Sequence, residues 1–413
     1  MSNNGKLKCL NCQNVLNYTF ADLGTSPLCE EFVKPAKINK GQHFYPLHAY
    51  VCDKCLLVQV GEYVSPEEIY SDYYYYSSYS DSWLKHASDY VDLMISNYGI
   101  NKQSFVVEVA SNDGYLLQYF KEKSIPILGV EPSENVARVS VEKGIPTEKV
   151  FLGEETAKEL KRKYKPADLI LGNNVLAHVP KINDFIKGLD VLLADKGIMT
   201  FEFPHLLQLV DNNQFDTIYH EHFFYYSLHS VQSIFKKHGM KIFHVQELKT
   251  HGGSIRIFIT RESNGNYQIS DDVNKILTLE REKGYLDLNF YQSFDKQVQQ
   301  TKTAILELLI KLKREGKTIV GYGAPGKGNT LLNYCGIRRD FIDYTVDRNP
   351  NKHGYFLPGS LIPIHHPDKI KETKPDYVFI LPWNLKDEII EQISYVRDWG
   401  GQFIIPIPKP MII

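Results

Sequence analysis

The chain lacks what would place it in several large protein classes. No apolar run reaches the ~18–20 residues of a membrane span, and its polar start has no apolar stretch ahead of a small-residue cleavage site. A cytoplasmic location is therefore expected. There is no basic excess: 47 Lys and Arg against 49 Asp and Glu leave a formal charge of -2. That balance argues against a nucleic-acid partner. The turn from Glu108 to Gly114 lacks the three-glycine dinucleotide pattern, and the turn from Gly321 to Thr330 is not a Walker sequence. Cysteine is scarce, with 6 in 413 residues, so the placement of each one is informative. Tyrosine is abundant, and much of it clusters between Tyr70 and Tyr79.

Four of the cysteines form two pairs, Cys9-x-x-Cys12 and Cys52-x-x-Cys55. Two such knuckles present four thiolates in tetrahedral geometry, which suits zinc, and leave no open coordination position. The metal is expected to be structural. Cys29 and Cys335 have no partner pattern and read as small buried side chains. The segments between the knuckles, Ala21 to Leu28 and Tyr45-Pro46-Leu47, are not basic, so a nucleic-acid-binding ribbon is disfavoured.

A length of 413 residues exceeds one ordinary core. Five segments are expected: a zinc-binding module (1–62), a helical and Tyr-rich linker and lid (63–100), a doubly wound α/β domain (101–263), a helical connector without obvious chemistry (264–315), and a second Rossmann-like α/β domain (316–413). Ser65-Pro66-Glu67-Glu68 is a helix-capping sequence. Trp83, Ala87, Val91, Met94 and Ile95 repeat at helical spacing. From Phe105, strand-like runs alternate with helical ones, which predicts an open sheet binding its ligand at the carboxyl ends of the strands. The strip Tyr73 to Tyr79 is either aromatic packing or a lid carrying phenol hydroxyls over a neighbouring site.

Two turns compete for a nucleotide-bearing ligand. The first runs from Glu108 to Gly114, with acidic Glu131 closing the next strand. An acid there accepts hydrogen bonds from ribose hydroxyls. Glu108 and Asp113 would repel phosphate, so a sulfonium with an amino-acid tail fits better than NAD. The second, Gly321 to Thr330, combines glycines with Lys327, which predicts a cradle for a substrate diphosphate. Asp347 is expected to meet a ribose or base edge. The alternative reading is an NAD-linked nucleotide-sugar oxidoreductase using this second turn.

The densest chemistry lies in Tyr219-His220-Glu221-His222, walled by aromatic rings. Ser227 reads as the N-cap of the helix that follows. If the preceding loop is extended, His220 and His222 share one face, while Tyr219 and Glu221 share the other. A metal site built from His205, His220, Glu221 and His222 is the weaker reading. His220 is assigned packing or support, and His251 an edge contact.

Taken together, Cys9/Cys12/Cys52/Cys55, Glu108 to Gly114, Asn174-Val175-Leu176-Ala177-His178, Tyr219 to His222 and Gly321 to Thr330 resemble the three-part sugar C-methyltransferases acting on nucleotide-linked 4-keto-6-deoxyhexoses. Ala110 departs from that family, which commonly has glycine there. The resemblance implies a central S-adenosylmethionine domain over 101–263 and a nucleotide-sugar domain over 316–413. It implies His222 as base, with Tyr219, Glu221, His178 and a phenol such as Tyr76 around the sugar. The cofactor would meet Glu108, Ala110, Asn112, Asp113, Gly114, Glu131, Pro132, Asn173 and Asn174. The substrate would meet Tyr79, Tyr322, Gly323, Ala324, Lys327, Asn329, Thr330 and Asp347. The expected reaction is methyl transfer to C-3 of an NDP-4-keto-deoxyhexose, dTDP-linked, by a monomer that also carries structural Zn2+.

Overall fold

A computed structural model describes residues 7–70 and 76–413. Three sheets organise it. The first is antiparallel, in the order Tyr18–Ser26, Tyr45–Val51, Val58–Val60 and Phe224–Tyr225. Its last strand comes from the histidine-rich loop, more than 150 residues downstream of its partner.

The central sheet has seven strands, in the order Met240–Leu248, Ser254–Arg261, Leu193–Pro204, Ala167–Asn173, Val106–Val109, Ile127–Val130 and Thr147–Glu148. Ser254–Arg261 is antiparallel to both of its neighbours, whereas the pairs from Leu193–Pro204 onward are parallel. The third sheet is led by Ile319–Tyr322, which pairs in parallel with Thr345–Val346 and Tyr377–Ile380. Thr345–Val346 is only two residues long. Both α/β sheets expected from the alternating apolar runs are present.

The linker helix runs over Asp81–Tyr98, with the Ser80 hydroxyl accepting from the Trp83 N–H as a cap. Its buried stripe of Trp83, Ala87, Tyr90, Val91 and Met94 covers one face of the central sheet. A second core runs from the zinc knuckles at Cys9 and Cys52 into the other face. The third joins the first sheet, the long helix Leu288–Arg314 and the third sheet into one apolar body. Among the described residues, no helix is long and apolar enough to cross a membrane.

The helical connector carries more chemistry than its composition suggested. Glu280, on the helix Asp271–Glu282, is fully buried. Its carboxylate accepts from the Leu228 N–H (2.6 Å) and the His229 N–H (2.9 Å), and lies 2.7 Å from His205 Nε2. A carboxylate on the first amides of the helix Leu228–Lys237 satisfies donors that have no intrahelical partner and complements the helix dipole. His205 is therefore occupied structurally and not in a histidine metal site. Replacing Glu280 with Ala strands those donors in the core. The expected loss is about 3–5 kcal/mol of unfolding free energy, read from the urea midpoint.

Candidate active site

The zinc knuckles come together first. The four sulfurs of Cys9, Cys12, Cys52 and Cys55 lie within 4.8 Å of one another, and the Cys9–Cys55 and Cys12–Cys52 pairs are each 3.6 Å apart. A tetrahedron with ~2.3 Å Zn–S arms has edges of ~3.8 Å, so the donors fit a closed Zn2+ site. Gln59 ties this site to the first sheet: its Oε1 accepts from the Leu10 N–H (2.8 Å) and its Nε2 donates to Cys9 Sγ (3.2 Å).

Gln59 sits on the strand that pairs with Phe224–Tyr225. Just before that pairing, the Val60 N–H donates to the Phe223 carbonyl (2.9 Å), while the Phe223 N–H donates to the Ala177 carbonyl (2.7 Å). One peptide segment is thus held by two modules, which puts His222 against His178 with ring centroids 4.7 Å apart.

The loop itself is not extended. The His222 N–H bonds back to the Tyr219 carbonyl (3.0 Å), closing a tight turn at His220–Glu221. The expected pairing of faces is thereby corrected: Tyr219 and His222 face each other, with Tyr219 Oη 2.9 Å from His222 Nε2. His222 Nδ1 lies 3.1 Å from the Thr217 carbonyl. A carbonyl only accepts, so Nδ1 carries the proton and Nε2 presents its lone pair to the Tyr219 hydroxyl. Burial, followed by the neighbouring His178, holds the His222 imidazole well below its ordinary pKa. His178 is likewise pushed down by burial, to about 4. Its Nδ1 lies 2.6 Å from the hydroxyl of Tyr70.

Glu221 meets His178 through its backbone and not through its carboxylate. It turns away from the imidazoles and accepts from Cys29 Sγ (3.1 Å), and burial and the nearby Glu30 raise its pKa to about 8. Cys29 is buried, as expected, but it sits against this site, which its isolation in the sequence gave no means of reading. His220 packs edge-on to Tyr45, with Nε2 3.2 Å from the Pro46 carbonyl, a supporting position. Of the tyrosine strip, Tyr73 to Tyr75 lie outside the described residues. The Tyr76 ring packs on Tyr79, and its hydroxyl is 3.4 Å from Asn135 Nδ2. Tyr79 is 60% exposed, so its ring faces largely outward.

A cavity of about 370 Å³ opens at the carboxyl ends of the central strands and reaches His178 and Tyr70. Ala110, Asn112, Glu131, Pro132, Asn173 and Asn174 line it, as do Trp83 and Tyr115. Glu131 accepts from the Asn112 N–H (2.9 Å) and the Ser133 N–H (2.8 Å), which fixes the carboxylate at the strand end. Behind this wall, Asp113 pairs with Lys143 (3.1 Å). Glu108 is fully buried, and burial together with Asp113 and Glu131 pushes its pKa well up. Gly114 turns with φ +78 where a Cβ would strike Ile145. This lining, rich in carboxyl groups, suits a cationic ligand with ribose hydroxyls and no phosphate; S-adenosylmethionine has that chemistry.

The second glycine turn differs from its reading. The Ala324 N–H donates to Asp347 (2.7 Å), and the other Asp347 oxygen accepts from the Asn349 N–H (2.8 Å). A carboxylate thus sits where a phosphate was expected, and Asp347 braces the turn. The helix Gly326–Cys335 instead drives its start into the histidine loop. A Cβ on Gly326 would lie 2.9 Å from Cys29 Sγ and 3.8 Å from Tyr219. Thr330 donates to the Ile218 carbonyl (3.0 Å), and Trp383 Nε1 donates to the buried Asp216 (2.7 Å). Lys327 bonds Asn384 (2.8 Å) and lies over the Trp383 ring (4.7 Å). The hydroxyl of Tyr322 donates to Gln392 (3.2 Å), Gly323 has φ +91, and Asn329 accepts from Asn333 (3.2 Å). These three support the third sheet and its helix.

His251 is the residue the sequence reading undervalued. It lies within the site, 2.9 Å from Asn174, with its ring edge-on to Trp83. Thr-His-Gly-Gly marked a turn, but its long-range partners carry no local signal.

Three family models match the chain in order: a zinc binding domain over residues 9–70, a methyltransferase domain over residues 85–245, and a C-methyltransferase C-terminal domain over residues 249–408. The C-methyltransferase NovU of Streptomyces niveus is 34% identical over 390 residues, covering 94% of this chain and 93% of its own length. Among solved structures, a protein from Pyrococcus horikoshii aligns over 48% of this chain and 96% of its own, at 14% identity and a TM-score of 0.38. The magnesium protoporphyrin IX methyltransferase of Synechocystis, with bound SAH, aligns over 43% of this chain and 83% of its own, at 13% identity and a TM-score of 0.35.

The path from knuckle to loop through Gln59 makes metal removal specific in effect. Stripping zinc with a chelator is expected to release one zinc per chain and to end methyl transfer. Calorimetric binding of S-adenosylmethionine to the central sheet should persist. Unchanged turnover in the zinc-free protein would show that the knuckles do not hold the loop.

Proposed function

We propose, on the premise that the chain belongs to the C-methyltransferase family and is an S-adenosylmethionine-dependent methyltransferase, that it methylates C-3 of an NDP-4-keto-deoxyhexose through an enolate. The observation that carries this reading is the state of His222. It stands at the meeting point of the three modules, neutral, with its proton fixed on Nδ1 by Thr217 and a lone pair on Nε2. That is the form a base needs to remove a proton from a carbon next to a ketone. Membership of this family displaces the NAD-linked alternative.

When bound, S-adenosylmethionine supplies an electrophilic methyl group. The chain's own residues do the rest. Glu131, with Asn112 and Pro132, holds the ribose end, while Asn173 and Asn174 face the same cavity. His222 Nε2 takes the proton from the sugar carbon, and the C–H electron pair moves into the enolate. Burial keeps the Tyr219 phenol protonated well beyond its ordinary range, so it serves as a hydrogen-bond donor beside that carbon. His178, braced by Tyr70, walls the sugar between the base and the cofactor cavity. A phenol from the lid strip, Tyr76 in the sequence reading, is assigned to closing the site. Glu221 maintains the turn as a buried, largely neutral acid. Lys327, on the helix that enters the site, provides positive charge for the substrate's diphosphate. Methyl transfer then depends on alignment, a positioning effect.

The His222→Asn variant is expected to lose ~10²–10⁴-fold in methylation while keeping its affinity for S-adenosylmethionine. The wild-type pH profile follows from the direction of the shift. Because the folded-state pKa is depressed, His222 is neutral through pH 7, and kcat should fall only on the acid side of the ordinary imidazole value of ~6.5. An acid limb at or above that value would remove His222 from the role of base.

A further inference from the structure

His251 occupies a strained position that packing alone does not call for. Its backbone has φ +53 in a turn whose next two residues, Gly252 and Gly253, have φ +92 and +116. Left-handed conformations at non-glycine residues cluster at functional sites when their surroundings over-determine them. The surroundings here are drawn from three directions. Gln214 Nε2 donates to the Gly252 carbonyl (2.7 Å), and Gly252 is approached so closely by Trp383 of the third sheet that a Cβ would lie 2.9 Å from its ring. Thr250 donates to Glu202 (2.8 Å), which is itself bound by His86 and Arg256. The His251 ring meets the edge of Trp83 at 5.1 Å.

The hydrogen bonding selects one form of the ring. Asn174 Nδ2 donates to His251 Nε2 across 2.9 Å. Asn174 is also left-handed, with φ +55, and lines the cofactor cavity just before His178. An imidazole accepting at Nε2 carries its proton on Nδ1. Among the described residues, Nδ1 has no hydrogen-bond partner, and the residue keeps part of its surface open. Burial, then the charge of Lys327, holds the ring neutral with a pKa of about 4. His251 also lies near enough to His222 for its charge to depress the His222 imidazole further.

We propose that His251 is a further catalytic residue, whose Nδ1–H donates a hydrogen bond to the ketone oxygen of the substrate as it becomes an enolate oxygen. The role rests on the enolate reading given above. The balance is simple: His222 Nε2 gains the proton of the α-carbon, the electron pair moves through the C–C bond to oxygen, and His251 stabilises that charge without giving up its own proton. A neutral imidazole suits the task, because it donates without becoming a competing acid.

The experiment follows deuterium wash-in at the sugar α-carbon, in D2O with S-adenosylhomocysteine bound, alongside methylation kinetics. The probe is a dTDP-4-keto-6-deoxyhexose. In His251→Phe, both wash-in and kcat are expected to fall ~10²–10³-fold, the effect of one lost oxyanion donor, with KM unchanged. His251→Asn keeps an N–H donor and tolerates positive φ, so it should recover much of both rates. A Phe variant that exchanges at the wild-type rate, or that changes KM alone, overturns the proposal. So does an Asn variant as inactive as the Phe variant. A wild-type enzyme that methylates without any wash-in would instead sink the enolate reading, and the role of His251 with it.

Discussion

The backbone of Phe223 is the constraint on which the site depends. Its N–H is held by Ala177 of the central domain, and its carbonyl by Val60 of the zinc module. Neither bond is unusual in strength, since a net contribution of ~1 kcal/mol is ordinary. Their value is geometric. A strand that shifts register by one residue sends every side chain to the opposite face. The pairing of Val58 with Tyr225 and Gln59 with Phe224 therefore fixes the direction in which His222 points. Because Gln59 also donates to Cys9 Sγ, the cysteine cluster is tied to the strand that orients an imidazole it never touches.

Burial then sets the chemistry. Desolvation favours the uncharged form of His178, His222, His251 and Lys327 alike. In water such a set would carry mixed charge and bind anions without selection. Here the imidazoles are kept as neutral donors and acceptors whose tautomers are chosen by fixed neighbours, the Thr217 carbonyl and the Asn174 amide. Glu221 follows the same rule from the opposite sign: burial raises its pKa to about 8, which spares the cleft a carboxylate charge beside the base.

Much of this architecture was legible from the chain. Valine- and isoleucine-rich runs marked the central strands, Ser65 and Ser227 marked helix starts, and cysteine spacing marked the metal site. What stayed hidden shares one physical origin. The turn at Tyr219–His222 is dictated by Val60, Ala177 and Thr330, all remote in sequence, so local alternation suggested an extended loop that the fold overrides. Asp347 was read as a ligand group because it ends a strand, yet its two oxygens brace backbone amides. Glu280 lay in a charged helix with no motif, and only the packed structure shows its carboxylate at another helix's start. Residues whose partners are neighbours in sequence were readable; those whose partners come from another module were not.

Ala110 shows how the demands of the site and of the fold meet in one residue. It adopts φ +55, in a turn where Asn112 and Gly114 are also left-handed. For an alanine that conformation costs roughly 1–2 kcal/mol, because Cβ crowds the following carbonyl. The turn holds it there: the Ala110 N–H donates to the Val130 carbonyl (2.8 Å), and the Asn112 N–H is taken by Glu131. Relaxing Ala110 would release Glu131 from the strand end where it lines the cavity. The strain is thus borne by the free protein, and any ligand that binds only this arrangement offsets it by mass action. The Ala110 methyl also stands at the cavity wall, so one residue carries a backbone cost and shapes the lining.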